Sequence, residues 1–158
     1  TEFLVMQAEA GANALMLFDS WSGMVPSNKR YSLITSQHQR IIQSVRDRGC
    51  YQPFIAFPKG LSEGLIDYCD NVDISCVGVD HLTDINWATQ SLRSDIALQG
   101  NLDPLSLVAG GEQMKKEVDI IMEALNNRHH VFNLGHGIVP QTPPHHVSEL
   151  IEIVRSYD

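Results

Sequence analysis

"PFIAFPKG", residues 53–60, is a continuous apolar run of strand length that stops at a proline, a lysine and a glycine. It lacks the apolar–polar alternation of a sheet with one wet face, so it reads as a strand covered on both sides, the habit of parallel sheets. Just upstream, residues 32–48 carry Ile34, His38, Ile41, Ile42 and Val45 on one helical face, with Gly49 as a stop after the last turn. Just downstream, residues 62–69 have helical character again.

The same alternation extends in both directions. "ALMLF" (14–18), "ISCVGV" (74–79), "IALQG" (96–100) and "HVFNL" (130–134) are further short apolar runs. Residues 2–11, 84–92, 104–127 and 144–157 are helical segments, with Ser36 or Asp84 suited to cap a helix start and Pro104 suited to a first turn after Asp103. A helix followed by five strand–helix units means parallel β-structure with helical crossovers, either an open doubly wound sheet or a (β/α)8 barrel. Eight strands need about 250 residues, so this chain cannot close a barrel alone. The choice is an open sheet or most of a barrel's second half. No repeat or flexible linker divides the sequence, and residues 1–158 are expected to form one domain or a piece of one.

Composition excludes several function classes. A hydrophobic content of 43% with 19% charged residues describes a globular chain. A net charge of -8, with 11 Lys and Arg and no basic run, is the wrong electrostatic footprint for nucleic acid. The apolar runs fall short of the roughly 20 residues of a membrane span, and no basic-then-apolar leader opens the chain, so a cytoplasmic protein is expected. The opening "TEFLVMQAEAGANALMLFDS" lacks an initiator Met and enters helix-like sequence at once, which points to a piece of a longer chain. Cys50, Cys69 and Cys76 are odd in number and have no CxxC spacing, so they read as buried thiols rather than a disulfide or zinc set.

In parallel α/β architectures the site lies at the carboxyl ends of the strands. Those ends carry Asp19-Ser20-Trp21-Ser22-Gly23, Pro58-Lys59-Gly60, Asp80-His81, Asn101-Leu102-Asp103-Pro104 and Gly135-His136-Gly137. Asp103 before Pro104 suits a helix cap better than an acid catalyst. Ser20 is not in a G-x-S-x-G elbow, which argues against a hydrolase nucleophile. His129-His130 and His145-His146 lack the i, i+4 spacing of a helical metal site. His136 differs from all of these, because flanking glycines remove Cβ bulk and let a backbone or a ligand approach closely.

Three blocks carry a resemblance: "LFDSWSG" (17–23), "IALQGNLDP" (96–104) and, most specifically, "NLGHGIVPQTPPHHV" (133–147). Together they resemble the C-terminal half of uroporphyrinogen decarboxylase, across essentially the whole chain. "GVDHLTDI" (78–85) is similar to the family's segment after the sixth strand, with His81 where a Trp is common. The resemblance implies an α/β fold that is the C-terminal part, about strands four to eight, of a TIM (β/α)8 barrel. It implies a carboxy-lyase that removes the four acetate carboxyls of uroporphyrinogen III to give coproporphyrinogen III, for haem synthesis, without metal or organic cofactor, and that works as a homodimer. By the same carry-over Ser20 and His136 bind substrate, Gly135 and Gly137 support the pocket loop, and no catalytic residue is assigned within this stretch. The family's Arg-Gln-Ala-Gly-Arg motif, its pyrrole-binding Asp and its pocket Tyr belong to the first half and have no counterpart here, so the chain alone is expected to be inactive.

Two other readings compete. A zinc-dependent corrinoid or thiol methyltransferase of the same superfamily would carry His-x-Cys after the fifth strand and a further Cys near the end of the eighth, where this chain has Pro58-Lys59-Gly60 and His136. A non-catalytic piece that associates through an open barrel seam is the other.

Overall fold

The computed structural model describes residues 1–157. Residue 158, the last of the expected domain piece, lies outside the described residues. The chain divides into two compact units, the first comprising Thr1–Gly78 and Ser91–Ala97, the second Val79–Gln90 and the described residues from Leu98 onward.

In the first unit, helix α1 (Glu2–Glu9) precedes β1 (Leu15–Asp19), α2 (Ser27–Arg30), a π-helical turn (Tyr31–Thr35), α3 (Ser36–Arg46), β2 (Phe54–Pro58), α4 (Leu65–Asn71) and β3 (Cys76–Gly78). β1 and β2 pair in parallel from Leu15 opposite Phe54 to Asp19 opposite Pro58, and β2 pairs with β3 through Ile55 opposite Cys76. Ala97, the first residue of β4 (Ala97–Leu102), donates its N–H to the Ser75 carbonyl. The core is what the apolar runs supply: Leu15, Phe54, Ala56 and Val77 from the strands pack with Ile34, Ile42, Val45, Leu65 and Cys69 from the helices, all buried. Each such large side chain removed from water contributes roughly 1.5–3 kcal/mol. Buried Ile34, His38, Ile42 and Val45 recur at helical spacing, which forces residues 27–46 to coil with one face inward. The helical stretch ends where Gly49 takes a φ of +79°.

In the second unit, α5 (Ile85–Ser91) starts on Asp84, whose carboxylate accepts the Trp87 N–H. β4 pairs in parallel with β5 (His130–Leu134), from Leu98 opposite His130 to Leu102 opposite Leu134, and Val79 donates its N–H to the Gln99 carbonyl. Helices α6 (Pro104–Ala109), α7 (Gly111–Leu125) and α8 (Pro144–Arg155) complete it, with Leu107, Met114, Val118 and Leu125 buried. Asp103 caps α6 by accepting the Leu105 N–H, as the Asp-Pro pair suggested.

Several expectations need correction. The helix over 32–48 begins earlier, at Ser27, and Ser36 sits within the helical run with its hydroxyl donating to the Ser32 carbonyl rather than capping. The single helix over 104–127 is two, broken at Gly110, whose φ of +66° ends α6 and whose missing Cβ leaves room for the His146 ring. Strand β3 covers only three residues of 74–79. Full burial of every strand also fails: β5 alternates between half-buried and exposed positions, and Phe18 of β1 is 70% exposed. Among the described residues no helix is long and apolar enough to cross a membrane.

Candidate functional site

Each unit presents polar groups at the carboxyl ends of its strands. In the first, the chain leaving β1 runs through Ser20 and Trp21, both exposed, before Ser22 turns inward and becomes fully buried. This loop is held on both sides. The Asp19 carbonyl accepts the Lys59 N–H and the Ser22 hydroxyl, and Gly23 donates its N–H to the Lys59 carbonyl. Gly23 and Gly60 touch backbone to backbone; a Cβ at position 23 would lie 2.7 Å from the Gly60 oxygen. Arg30 ties the region further, donating to the carbonyls of Val25 and Leu61.

Beneath the loop lies a polar chain, buried at His38 and Tyr68 and half-buried at Asp19. Asp19 Oδ2 is 3.5 Å from His38 Nε2, and His38 Nδ1 is 2.7 Å from the Tyr68 hydroxyl, the two rings meeting edge to face. Burial pushes the Tyr68 phenol well above its ordinary range, so the hydroxyl keeps its proton. Burial likewise holds His38 below its usual value of 6.5, against the opposing attraction of Asp19. Because a carboxylate can only accept, the neutral ring carries its proton on Nε2, toward Asp19, and Nδ1 accepts from the Tyr68 hydroxyl. A histidine kept neutral by burial contributes stability that is fully present above pH 6.5 and declines as pH falls from there toward its lowered folded value. Denaturant unfolding of the full-length protein at pH 7.5 and pH 5 should show a smaller acid-induced loss of stability for His38→Leu than for the parent; an equal loss in both would contradict this ionisation state.

In the second unit, Gly135 follows β5, is buried, and donates its N–H to the Leu102 carbonyl. The space its missing Cβ leaves is filled by the chain itself, since an added methyl would lie 2.1 Å from the His81 backbone nitrogen. His136 is exposed, and its ring lies parallel to that of His81 with centroids 6.4 Å apart. His81 Nδ1 is 3.3 Å from the Gly135 carbonyl. The loop carrying His81 is pinned from below: the buried Asp80 carboxylate accepts the Leu82 N–H and the Thr83 hydroxyl, and the Asn101 side-chain amide donates to the carbonyls of Asp80 and Thr83. Gly137 has nothing within 4 Å of where its Cβ would stand.

Of the residues expected to form the site, Gly135, His136 and Gly137 thus share one loop of the second unit, and Ser20 belongs to the first. His38 was legible only as one apolar-face position of a helix. The signal for more was an imidazole on that face in a chain whose first strand ends in a carboxylate. Nothing in the sequence signals that the His81 ring lies parallel to that of His136.

The thiols lie elsewhere. Cys50 precedes β2, Cys69 is in α4 and Cys76 opens β3. Burial raises the Cys76 thiol to about 11. Among the described residues no group of three His, Cys, Asp or Glu side chains is arranged to hold a metal.

A family model described as uroporphyrinogen decarboxylase matches residues 1–157. Among curated proteins, a uroporphyrinogen decarboxylase from Granulibacter bethesdensis is 44% identical over 154 residues, covering 98% of this chain and 45% of that protein. One from Novosphingobium aromaticivorans is 41% identical over 156 residues, covering 99% of this chain and 46% of that protein. The chain therefore spans a little under half the length of these relatives. Among solved structures, a methyltransferase from Methanosarcina mazei matches with a TM-score of 0.75 at 18% identity, over 99% of this chain and 47% of that one. At that identity the likeness concerns the fold. It agrees with the expected α/β class and with the C-terminal part of a TIM (β/α)8 barrel.

Proposed function

The chain belongs to the uroporphyrinogen decarboxylase family, and from that premise we propose that the full-length protein converts uroporphyrinogen III to coproporphyrinogen III by removing its four acetate carboxyls. The observation that carries the reading is the Gly135-His136-Gly137 loop at the carboxyl end of β5, with an exposed imidazole on a well-anchored base.

The chemistry asks for little covalent participation by the protein. Protonation of a pyrrole ring creates a cation that accepts the electron pair of the breaking carbon–carboxylate bond. Carbon dioxide leaves, and the electron pair returns when the exocyclic carbon takes a proton and the ring loses one, leaving a methyl group. The protein must hold the remaining carboxylates, place an anion near the ring cation and supply protons. In this reading His136 donates a hydrogen bond to a substrate carboxylate, Ser20 lines the pocket after β1, and Gly135 and Gly137 keep the loop slim. No metal or organic cofactor is required.

A chain of net charge -8 is poorly suited to hold an eight-carboxylate substrate alone. The cationic groups then come from the remainder of the protein, with residues 1–158 forming one piece of a single barrel domain, and the working form is a cytoplasmic homodimer. Anaerobic incubation with uroporphyrinogen III, followed by chromatography of the oxidised products, tests both parts. The full-length protein should yield tetracarboxylate product and residues 1–158 alone should yield none. Turnover by the isolated chain would refute its proposed inactivity, and no turnover by a folded full-length protein would refute the function.

Exposure of Phe18 and Trp21, 70% and 73%, keeps a second reading in view, a piece that associates through its open seam without catalysis. In the first reading the remaining strands cover that edge. The zinc methyltransferase reading lacks support in this chain, whose thiols are not at strand carboxyl ends.

A further inference from the structure

The Asp19–His38–Tyr68 chain places three polar groups between β1 and the helices, where apolar side chains would also fill the space. His38 and Tyr68 are 8% and 1% exposed, and Asp19 retains partial exposure at the end of β1. Replacing buried polar networks by well-packed apolar residues is often neutral or stabilising, so a network that runs from the core to a half-buried carboxylate calls for a role other than holding the fold together. The direction of the chain suggests that role. The Tyr68 hydroxyl faces His38 Nδ1 at 2.7 Å, His38 Nε2 faces Asp19 Oδ2 at 3.5 Å, and Asp19 Oδ1 accepts the Trp21 N–H at 3.3 Å. Both carboxylate oxygens of Asp19 are thereby engaged, one from the helix layer and one from the loop, and Ser20 lies between the two residues so joined.

We propose that His38 is a positioning residue which, backed by the Tyr68 hydroxyl, fixes the Asp19 carboxylate and through it the orientation of Ser20 for substrate binding. The inference rests on the reading of Ser20 as a pocket residue. His38 itself is buried and touches no substrate. Its contribution is to hold a two-residue turn in one geometry, so that the serine hydroxyl is not reordered at each binding event. Preorganisation of this kind raises affinity by lowering the ordering cost of binding, without adding a bond to the substrate. The Gly23–Gly60 contact holds the far end of the same loop, which leaves the Asp19 end as the place where orientation is set.

The test is a double-mutant cycle in the full-length protein, read as KM and kcat for uroporphyrinogen III. Ser20→Ala should raise KM, His38→Leu should raise it by roughly five- to tenfold with kcat little changed, and His38→Gln, whose amide can still donate to Asp19, should recover most of the loss. In the Ser20→Ala background His38→Leu should add nothing further. Tyr68→Phe, which removes only the hydroxyl, should give a smaller KM increase and serves if His38→Leu does not fold. If Ser20→Ala leaves KM unchanged, the pocket assignment of Ser20 fails and the inference falls with it. If Ser20→Ala raises KM while the effect of His38→Leu or Tyr68→Phe is absent, or simply multiplies that of Ser20→Ala, the inference is overturned and the pocket assignment stands.

Discussion

Gly135→Ala is expected to destabilise the full-length protein and weaken substrate binding together, because the added methyl would sit 2.1 Å from the His81 nitrogen and 2.7 Å from its Cα. These are backbone atoms of a loop that Asp80 and Asn101 hold in place, so neither side can yield cheaply. Overpacking of this kind costs roughly 1–3 kcal/mol. The displacement would fall on the residue before His136, so KM should rise as well. Gly137→Ala provides the contrast. With no atom within 4 Å of its added Cβ, it should leave the unfolding midpoint unchanged and act only on substrate approach. Denaturant melts of the two variants separate the roles, and equal stability for both would contradict the packing account of Gly135.

His136→Ala should produce the largest functional loss among the side chains of this loop. A hydrogen bond to a charged group is worth roughly 1.5–3 kcal/mol, which corresponds to an increase in KM of about 10- to 150-fold. The glycines on either side have no side chain that could substitute as donor. His136→Asn retains a donor and should keep turnover while losing product selectivity, with partly decarboxylated macrocycles accumulating. Complete loss of turnover in the Asn variant at saturating substrate would assign His136 to the chemistry instead of to binding.

Much of the architecture was legible from local pattern. The run at 130–134 coincides with β5, and the Asp-Pro pair at 103–104 marks a capped helix start because both the side-chain acceptor and the fixed proline φ act within a few residues. What was not legible depends on partners distant in sequence. Gly110 breaks a continuous helical period because the ring of His146, 36 positions later, occupies its Cβ space. Phe18 belongs to a run that reads as fully buried, yet it is 70% exposed, because side chains alternate between the two faces of a sheet and an apolar run does not encode whether both faces are covered.

The site followed the same division. The Gly-His-Gly motif lies in the loop that follows β5, and the reason for one of its glycines is a matter of tertiary structure: Gly135 makes room for the His81 backbone. His38 satisfied the apolar periodicity of α3 and so looked like core. Its engagement with Asp19 and Tyr68 links residues 19 and 30 positions away, a relation no helical period encodes.

Decarboxylation of a porphyrinogen by the full-length protein can be read from the carbon dioxide released per macrocycle under anaerobic conditions. Four equivalents are expected from uroporphyrinogen III at completion, and none from coproporphyrinogen III. Absence of carbon dioxide release by the folded full-length protein, or release from coproporphyrinogen III as well, would contradict the proposed function.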